Sequence, residues 1–309
     1  MSSIRKGLGQ ALLELGQTDE RVVVLSADLT DSMRVSEFKK TFPQRFIDVG
    51  VAEQNLAGVA AGLALTGKIP FIVSFAVFSP GFNWSMIRTI CYSNLPVKII
   101  GGHAGLATGQ DGATHQALED LSLMRVMPKM TVLAPADENE AKEIITAAYQ
   151  HSGPVYIRST RIDTPDLTSL KKEKFAIGRG QVLKIGNDVA LIAYGSMVAR
   201  ALEAANQLQA QNINTRVINM SSLKPLDKQL IIQAFSQTHA VVSIEDHQKA
   251  GGLGSAIAEL ISQTSNQTPF KIIGVDDQFG QSGQTEELYQ KYGLTADNIA
   301  QTIRNLLGH

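Results

Sequence analysis

The feature that constrains the fold most is a regular alternation of strand-length apolar runs with segments of helical spacing. The apolar runs are rich in valine and isoleucine, and the residues between them recur three or four positions apart, as at Ile4, Leu8 and Leu12. Short strands that each lead into a helix predict a parallel sheet covered by helices on both faces. The predicted strands of the first half are Val22–Leu25, Phe46–Val49, Ile69–Phe75, Val97–Ile100, Thr131–Ala134 and Val155–Ile157.

The alternation lapses near residues 161–178 and then restarts. The segments Asp163–Asp166 and Lys171–Lys174 are polar and turn-prone, which is typical of a linker. We therefore expect two three-layer α/β domains with mainly parallel sheets, over residues 1–165 and 179–309, joined by a linker at 166–178. A chain of 309 residues is long enough for each domain to bury its own core. The predicted strands of the second half are Val189–Tyr194, Arg216–Asn219, Ala240–Ile244 and Ile272–Val275.

Charge and cysteine content exclude several functional classes. With 28 basic and 29 acidic residues the net charge is −1, so there is no electrostatic footprint for nucleic acid or an anionic membrane. No apolar run approaches the ~18 residues of a membrane-spanning helix. The single cysteine, Cys91, cannot form a disulfide within the chain. We expect a soluble protein of the reducing cytoplasm.

A carboxylate at a strand-to-helix junction is the first candidate for chemistry. Glu53 lies in the segment Asp48–Asn55, directly before an almost wholly apolar helix. An acid at a helix start is favoured by the helix dipole by ~0.3–1 kcal/mol, so a plain structural role is open. No basic residue occurs between Val49 and Thr66, however. A buried Glu53 would then need a ligand, because unpaired buried charge is costly.

Two further segments are candidates for a ligand site. Phe75 and Phe78 stand at the end of a predicted strand, where aromatic rings either line a crevice or simply fill the core. The glycine-rich segment His103–Gln116 contains Asp111 and a second histidine, His115. A loop of that length inside a compact domain is usually functional. No cysteine or third close ligand completes a zinc pattern, so hydrogen bonding and proton transfer fit better.

Taken together, these segments resemble the second half of the transketolase family, in the same order and over nearly the whole chain. Residues from about Lys184 onward look like that family's C-terminal domain. The resemblance implies a thiamine diphosphate-dependent enzyme that moves a two-carbon ketol unit from a ketose phosphate to an aldose phosphate. The strings similar to the pyrimidine-binding domain are Val49–Asn55, Phe75–Phe78, Gly109–Gln116 and Met130–Asp137.

The resemblance also implies a role for each matching residue. Glu53 would bond N1′ of the aminopyrimidine ring and share its proton, the aromatic rings would enclose that ring, and Asp28 would lie near the thiazolium. The implied catalytic residues are Glu53, His103 and His115, and the implied cofactor-binding residues are Glu53, Phe75, Phe78, Phe82 and Asp28. The implied substrate-binding residues are Arg5, Ser32, His103 and Arg161, which match the family's phosphate-binding positions, together with Asp111 and His115. Arg158 is close enough in sequence to compete with Arg161 for the phosphate.

One motif of the family is missing from this sequence. Family members hold the diphosphate and its divalent cation, Mg²⁺ or else Ca²⁺ or Mn²⁺, with a Gly-Asp-Gly segment and a downstream asparagine. This chain contains no Gly-Asp-Gly. We therefore expect no metal ligand here and an N-terminal partner subunit that carries the motif, in an α₂β₂ assembly. The sugar phosphates and the pathway stay open.

Three alternative functions stay in view. A 1-deoxyxylulose-5-phosphate synthase shares the glutamate segment but has an Asp-Arg pair where this chain has Gly102 and His103. The β subunit of a 2-oxo acid dehydrogenase lacks the arrangement at Gly109–Gln116. A non-catalytic assembly subunit would have no physical reason to keep Glu53 against an apolar helix. These features favour transketolase, and assays of ketol transfer against pyruvate decarboxylation separate the enzymes.

Overall fold

The structure is a computed structural model that describes residues 2–167, 170 and 173–308. It contains two α/β domains, each built on a mainly parallel sheet, and confirms the expected fold class. Four positions of the expected linker, namely 168, 169, 171 and 172, lie outside the described residues. Within the described residues, no helix is long and apolar enough to cross a bilayer.

The first domain alternates strands and helices from the start of the chain. Its strands are β1 (Ser2–Ser3), β2 (Val22–Ser26), β3 (Phe46–Asp48), β4 (Ile69–Phe75), β5 (Lys98–Gly102), β6 (Thr131–Leu133), β7 (Val155–Arg158) and β8 (Asp163–Thr164). Its helices are α1 (Ile4–Thr18), α2 (Ser36–Thr41), α3 (Glu53–Leu65), α4 (Trp84–Tyr92), α5 (Asp120–Arg125) and α6 (Glu138–Gln150), with 3₁₀ turns at Pro43–Arg45 and Leu106–Asp111.

The second domain repeats the alternation on a smaller sheet. Its strands are β9 (Gln181–Lys184), β10 (Val189–Ala193), β11 (Thr215–Asn219), β12 (Ser222–Lys224), β13 (Ala240–Gln248) and β14 (Phe270–Val275). Its helices are α7 (Met197–Gln209), α8 (Lys228–Gln237), α9 (Leu253–Ile261), α10 (Thr285–Lys291) and α11 (Ala296–Leu307).

One strand of the second half of the chain joins the sheet of the first domain. The seven-stranded sheet has the order β12-β6-β7-β5-β4-β2-β3, so an antiparallel edge strand comes from the second half of the chain. The five-stranded sheet has the order β14-β13-β10-β11-β9, in which only β9 is antiparallel. Strands β9 and β12 were not predicted from the sequence, because both are short and lack an apolar run.

Apolar clusters cover both faces of the first sheet. Residues of α1, α2 and α6, such as Leu8, Phe38 and Ile144, pack on one face. The other face carries Leu56 of α3 and continues into the second domain as far as Leu253 of α9. The two domains therefore share one continuous core cluster, which sets their relative position.

The candidate site residues gather where parallel strands end. Strands β2, β3, β4, β5 and β7 run in parallel, and their carboxyl ends lie at one edge of the sheet. Asp28, Phe75 and His103 stand at or just beyond three of these ends. Ligands of open α/β sheets bind in the crevice outside the carboxyl ends of the strands.

Candidate active site

Glu53 is the first residue of α3 and only 5% exposed. Its Oε1 accepts a hydrogen bond from Ser74 Oγ at 3.2 Å, and its main-chain carbonyl accepts one from Asn83 Nδ2 at 3.2 Å. No ion pair to Glu53 occurs in the described part of the chain. The carboxylate thus has one neutral donor and the positive end of the α3 dipole, and it keeps acceptor capacity for a ligand.

The turn that leads into Glu53 is organised by Asp48 at the end of β3. Its Oδ1 accepts the main-chain N–H of Asp28 at 3.0 Å and that of Gly50 at 3.1 Å. Asp28 and Gly50 both have left-handed backbone, with φ of 59° and 71°. Asp48 therefore ties the loop that carries Asp28 to the turn before α3. The sequence reading did not single out Asp48, although an acid two residues before a glycine is a turn signal.

An aromatic cluster lies beside the glutamate. The Phe75 and Phe78 rings stack with centroids 6.0 Å apart, and Phe78 and Phe82 stack at 5.6 Å. The His103 ring lies 3.9 Å from Phe75, and the His115 ring meets Phe78 edge-on at 5.5 Å. Phe82 is 63% exposed and forms the open end of the row. The structure thus brings together five residues that lie in two separate segments of the sequence, at 75–82 and 103–115.

Ser74 and Asn83 connect the glutamate to this aromatic row. Ser74 precedes Phe75 in β4 and is fully buried, so its hydroxyl holds Glu53 next to the first ring. Asn83 follows Phe82, and its amide also donates to Ser79 Oγ at 3.0 Å. The sequence analysis missed both residues. A serine inside an otherwise apolar strand was the available signal.

His103 is a buried, neutral imidazole. Burial of the ring, followed by the charges of Arg5 and Arg161, lowers the pKa of His103 to about 3. Its backbone is left-handed, with φ of 52°. Among the described residues its Nδ1 has no hydrogen-bond partner. A neutral ring with a free nitrogen suits hydrogen bonding to a substrate oxygen.

Arg5 lies against the other residues of the implied phosphate site. Its Nη1 donates to the Ser32 carbonyl at 2.8 Å, and its Nη2 donates to the Arg161 carbonyl at 3.0 Å. Strands β1 and β8 pair in the antiparallel direction, with Ser3 opposite Asp163. This pairing places the first turn of α1, which carries Arg5, next to Arg161. Residues 156 positions apart in the chain thereby form one cationic group.

Arg161 and Asp111 form an ion pair at the entrance. Arg161 Nη1 lies 3.0 Å from Asp111 Oδ1, and the two side chains are 42% and 36% exposed. The same nitrogen donates to the Thr108 carbonyl at 2.9 Å. Exposed pairs of this kind contribute only ~0–1 kcal/mol. A phosphate dianion can therefore compete with Asp111 for the guanidinium.

Arg158 lies apart from this group. It is 6% exposed, and its Nε bonds the Asp120 carboxylate at 3.0–3.1 Å. Its Nη2 donates to the main-chain carbonyls of Ala117 and Asp246. These contacts make Arg158 an internal link between the domains, and they favour Arg161 over Arg158 for the expected phosphate contact.

Metal ions in proteins are usually ligated by clusters of His, Cys, Asp and Glu side chains. In the described part of the chain, no group of three or more of these side chains could hold an ion. Cys91, on the inner side of α4, is buried and not in a disulfide.

Family comparison matches both halves of the chain. The model described as transketolase, pyrimidine binding domain, covers residues 1–166, and the one described as transketolase, C-terminal domain, covers residues 178–299. The chain belongs to the transketolase family. It corresponds to the C-terminal section of that family's enzymes.

Relatives of similar length support the assignment to this section of a transketolase. A protein of Methanocaldococcus jannaschii described as a transketolase C-terminal section is 43% identical over 302 residues, which are 97% of this chain and 95% of the relative. A solved structure described as a split gene transketolase, inactive beta4 tetramer, is 47% identical with a TM-score of 0.92 and covers 100% of this chain and 99% of that one.

Longer members of the transketolase family also match. The 1-deoxy-D-xylulose-5-phosphate synthase of Heliobacterium modesticaldum is 37% identical over 297 residues, which are 96% of this chain. The chain spans 46% of that relative's length.

Proposed function

We propose that this chain is the pyrimidine-side subunit of a two-chain, thiamine diphosphate-dependent transketolase. The observation that carries the proposal is Glu53, a buried carboxylate at the start of an apolar helix with a single side-chain partner. A carboxylate in that setting matches a heterocycle that can accept and return a proton. The family assignment supports the reaction class, transfer of a two-carbon ketol unit between sugar phosphates.

The residues around Glu53 fit the aminopyrimidine half of the cofactor. Phe78 and Phe82 offer ring faces for stacking, and Phe75 backs them from the sheet. Ser74 orients the Glu53 carboxylate, which would hold a shared proton at its free oxygen. When bound, thiamine diphosphate supplies the carbon nucleophile that attacks the ketose. Asp28 is proposed near the thiazolium because Asp48 holds its loop beside the turn before α3.

The opposite side of the site fits a phosphorylated sugar. Arg5 and Arg161 provide positive charge, Ser32 is bonded to Arg5 through its main-chain carbonyl, and neutral His103 offers a ring nitrogen. Arginine suits a phosphate because its planar fork can bond two oxygens at once. Asp111 is proposed to recognise the configuration of the donor's hydroxyl groups. His115 is proposed to contact the ketose near its carbonyl.

The diphosphate and its cation, Mg²⁺ or else Ca²⁺ or Mn²⁺, are proposed to bind through an N-terminal subunit, in an α₂β₂ assembly. This chain has no Gly-Asp-Gly segment to hold them. The relative of known structure, described as an inactive tetramer of its beta chain, supports a need for a second polypeptide. A cytoplasmic location remains part of the proposal, supported by the single, unpaired cysteine.

The test is a Glu53→Gln variant reconstituted with the N-terminal subunit. Glutamine keeps a hydrogen bond but cannot exchange the proton, so ketol transfer should fall by about 100-fold to 10,000-fold while thermal unfolding stays unchanged. Glu14→Gln, an exposed acid on α1, serves as the control and should keep full activity. Unchanged rates for Glu53→Gln would leave a non-catalytic subunit as the better description. Turnover by this chain alone would exclude the two-chain proposal.

A synthase of 1-deoxyxylulose 5-phosphate is the second candidate, because relatives with that name cover nearly the whole chain. His103, where that family has an arginine of an Asp-Arg pair, supports transketolase instead. The reconstituted enzyme should transfer ketol units and should not condense pyruvate with glyceraldehyde 3-phosphate. Release of CO₂ from pyruvate would favour the synthase or a 2-oxo acid dehydrogenase.

A further inference from the structure

The loop that carries three proposed site residues is held by the second domain. This site loop comprises residues 103–116 and runs from β5 toward α5. Asp246 of β13 binds it with both carboxylate oxygens. Oδ1 accepts the Leu106 N–H at 2.8 Å, and Oδ2 accepts the Ala107 N–H at 3.2 Å. Asp246 belongs to the other domain, 140 residues further along the chain.

The loop is shaped to receive this carboxylate. Gly105 has φ of 83°, and a Cβ at that position would lie 2.3 Å from Asp246 Oδ2. Only glycine can therefore bring the loop this close. Asp246 itself is 2% exposed, and Tyr289 of α10 donates to its Oδ2 at 3.1 Å. The Asp246 carboxylate is therefore shielded from solvent and held in place by Tyr289, a donor from its own domain.

The second domain makes further contacts along the site loop. Gln116 is buried, and its Nε2 donates to the carbonyls of Gly109 at 3.2 Å and Gln281 at 3.0 Å. The side chains of Leu106 and Ala107 belong to the apolar cluster of the second domain. The loop therefore packs as part of the second domain's core, although both its ends belong to the first domain.

The held segment is directly connected to the proposed substrate contacts. Thr108 follows Ala107, donates to the His103 carbonyl at 2.5 Å and accepts from Arg161 at 2.9 Å through its own carbonyl. Asp111 ends the 3₁₀ segment that Leu106 begins. A shift at residues 106 and 107 would thus displace the hydrogen bonds around His103, Arg161 and Asp111 together.

We propose that Asp246 is a positioning residue for substrate recognition, and that the second domain acts on the reaction by holding the site loop through it. The proposal rests on the function proposed above and assigns the second domain a role in that site. Hydrogen bonds to an ionised acceptor are stronger than neutral ones, and both bonds lie in a dry interior. The carboxylate touches neither the aromatic row nor Glu53.

Hydrogen exchange on the purified chain tests the contact without any partner. In Asp246→Asn, amide exchange at residues 105–108 should accelerate by about tenfold or more, while the start of α9 stays protected. Glu245→Gln is the matched control, because Glu245 is an equally buried neighbour that accepts the N–H groups of Leu253 and Gly254. It should loosen the start of α9 and leave the site loop unchanged. The proposal is overturned if Asp246→Asn accelerates exchange equally in the site loop and at the start of α9. It is also overturned if Asp246→Asn leaves exchange in the site loop unchanged.

Kinetics of the reconstituted enzyme separates positioning from general destabilisation. In Asp246→Asn the KM for the sugar phosphate should rise about tenfold, and apparent affinity for thiamine diphosphate should stay within about twofold, because Glu53 and Phe78 lie outside the loop. A parallel loss of cofactor affinity contradicts the proposal. Tyr289→Phe removes one donor to Asp246 and should give the same pattern more weakly. It tests the proposal even if Asp246→Asn does not fold. Faster loop exchange without ketol transfer by wild-type enzyme would refute the proposed function alone.

Discussion

At the scale of single residues, the site depends on polar groups whose surroundings decide their charge. His103 stays neutral because the ring is buried near Arg5 and Arg161, which lowers its pKa to about 3. Glu53 is buried without a basic partner in the described residues, which reserves it for a ligand. His103 is thus kept uncharged by burial and by two nearby cations, whereas Glu53 receives one hydrogen bond from Ser74 and the dipole of its own helix.

The low pKa of His103 predicts a loss of stability in acid. The unfolded chain binds a proton at His103 below a pH of about 6.5, whereas the folded chain does not until about 3. The free energy of unfolding should therefore fall as pH drops from 6.5 towards 3, by up to ~1.4 kcal/mol per pH unit from this group. In His103→Gln the slope should be shallower, as measured by urea unfolding at several pH values.

The exposed His239 provides the control for this measurement. His239→Gln should keep the slope of the wild type. The buried His247, whose pKa is lowered to about 4, contributes equally in both variants. An unchanged slope in His103→Gln would show that its ring is charged in the folded chain.

At the scale of secondary-structure elements, the domain junction depends on a buried ion pair. Arg158 of β7 bonds Asp120 at the start of α5 and the main-chain carbonyl of Asp246 in β13. Tyr156 of β7 donates to the same Asp120 carboxylate at 2.7 Å. The Arg158 guanidinium therefore joins β7, α5 and β13, which come from two domains.

Removing one partner of this pair should destabilise the whole chain. Arg158→Met leaves the Asp120 carboxylate buried without its cation, which should cost roughly 3–5 kcal/mol of unfolding free energy. The double variant Asp120→Leu with Arg158→Met removes both charges and should cost less than the sum of the single changes. Denaturant unfolding of the four proteins measures the coupling. Additive losses would mean that the two charges do not stabilise each other.

At the scale of the whole molecule, the first domain leaves apolar side chains uncovered at both ends of α3, the helix that Glu53 begins. Val51, in the turn before α3, is 80% exposed, and Leu65 at the end of α3 is 74% exposed. Phe82 lies in the same open depression as Glu53. We expect the proposed N-terminal subunit to cover this face, because the proposed site would hold only half of the cofactor and needs the other half placed opposite.

A charge on this face should block assembly and leave the chain folded. Val51→Lys should lower binding of the N-terminal subunit by at least about tenfold, measured by light scattering of mixtures, with no change in thermal unfolding. Ile185→Lys, at a site that is 75% exposed in the second domain, should leave assembly intact. Normal assembly of Val51→Lys would place the partner on another face.

The sequence by itself determined the fold class, the strands of both sheets that carry apolar runs, and the segments that supply the site. These are local properties: strand and helix periods are set by neighbouring residues, and β4, predicted at Ile69–Phe75, has those bounds in the structure. Phe75 and Phe78 were chosen in one segment and His103 and His115 in another, and the structure brings the four rings together.

Only the tertiary structure decided how the second domain contacts the site loop. The apolar run of β13 was predicted to end at Ile244, but the strand continues to Gln248, with the buried Glu245 and Asp246 in its extension. Acidic residues argue against a buried strand unless donors satisfy them, and here the donors are the start of α9 and a loop 140 residues away. The internal partners of Arg158 were hidden from the sequence for the same reason. A partner that is distant in sequence leaves no periodic signal, so burial and hydrogen bonding emerge only when the chain has folded.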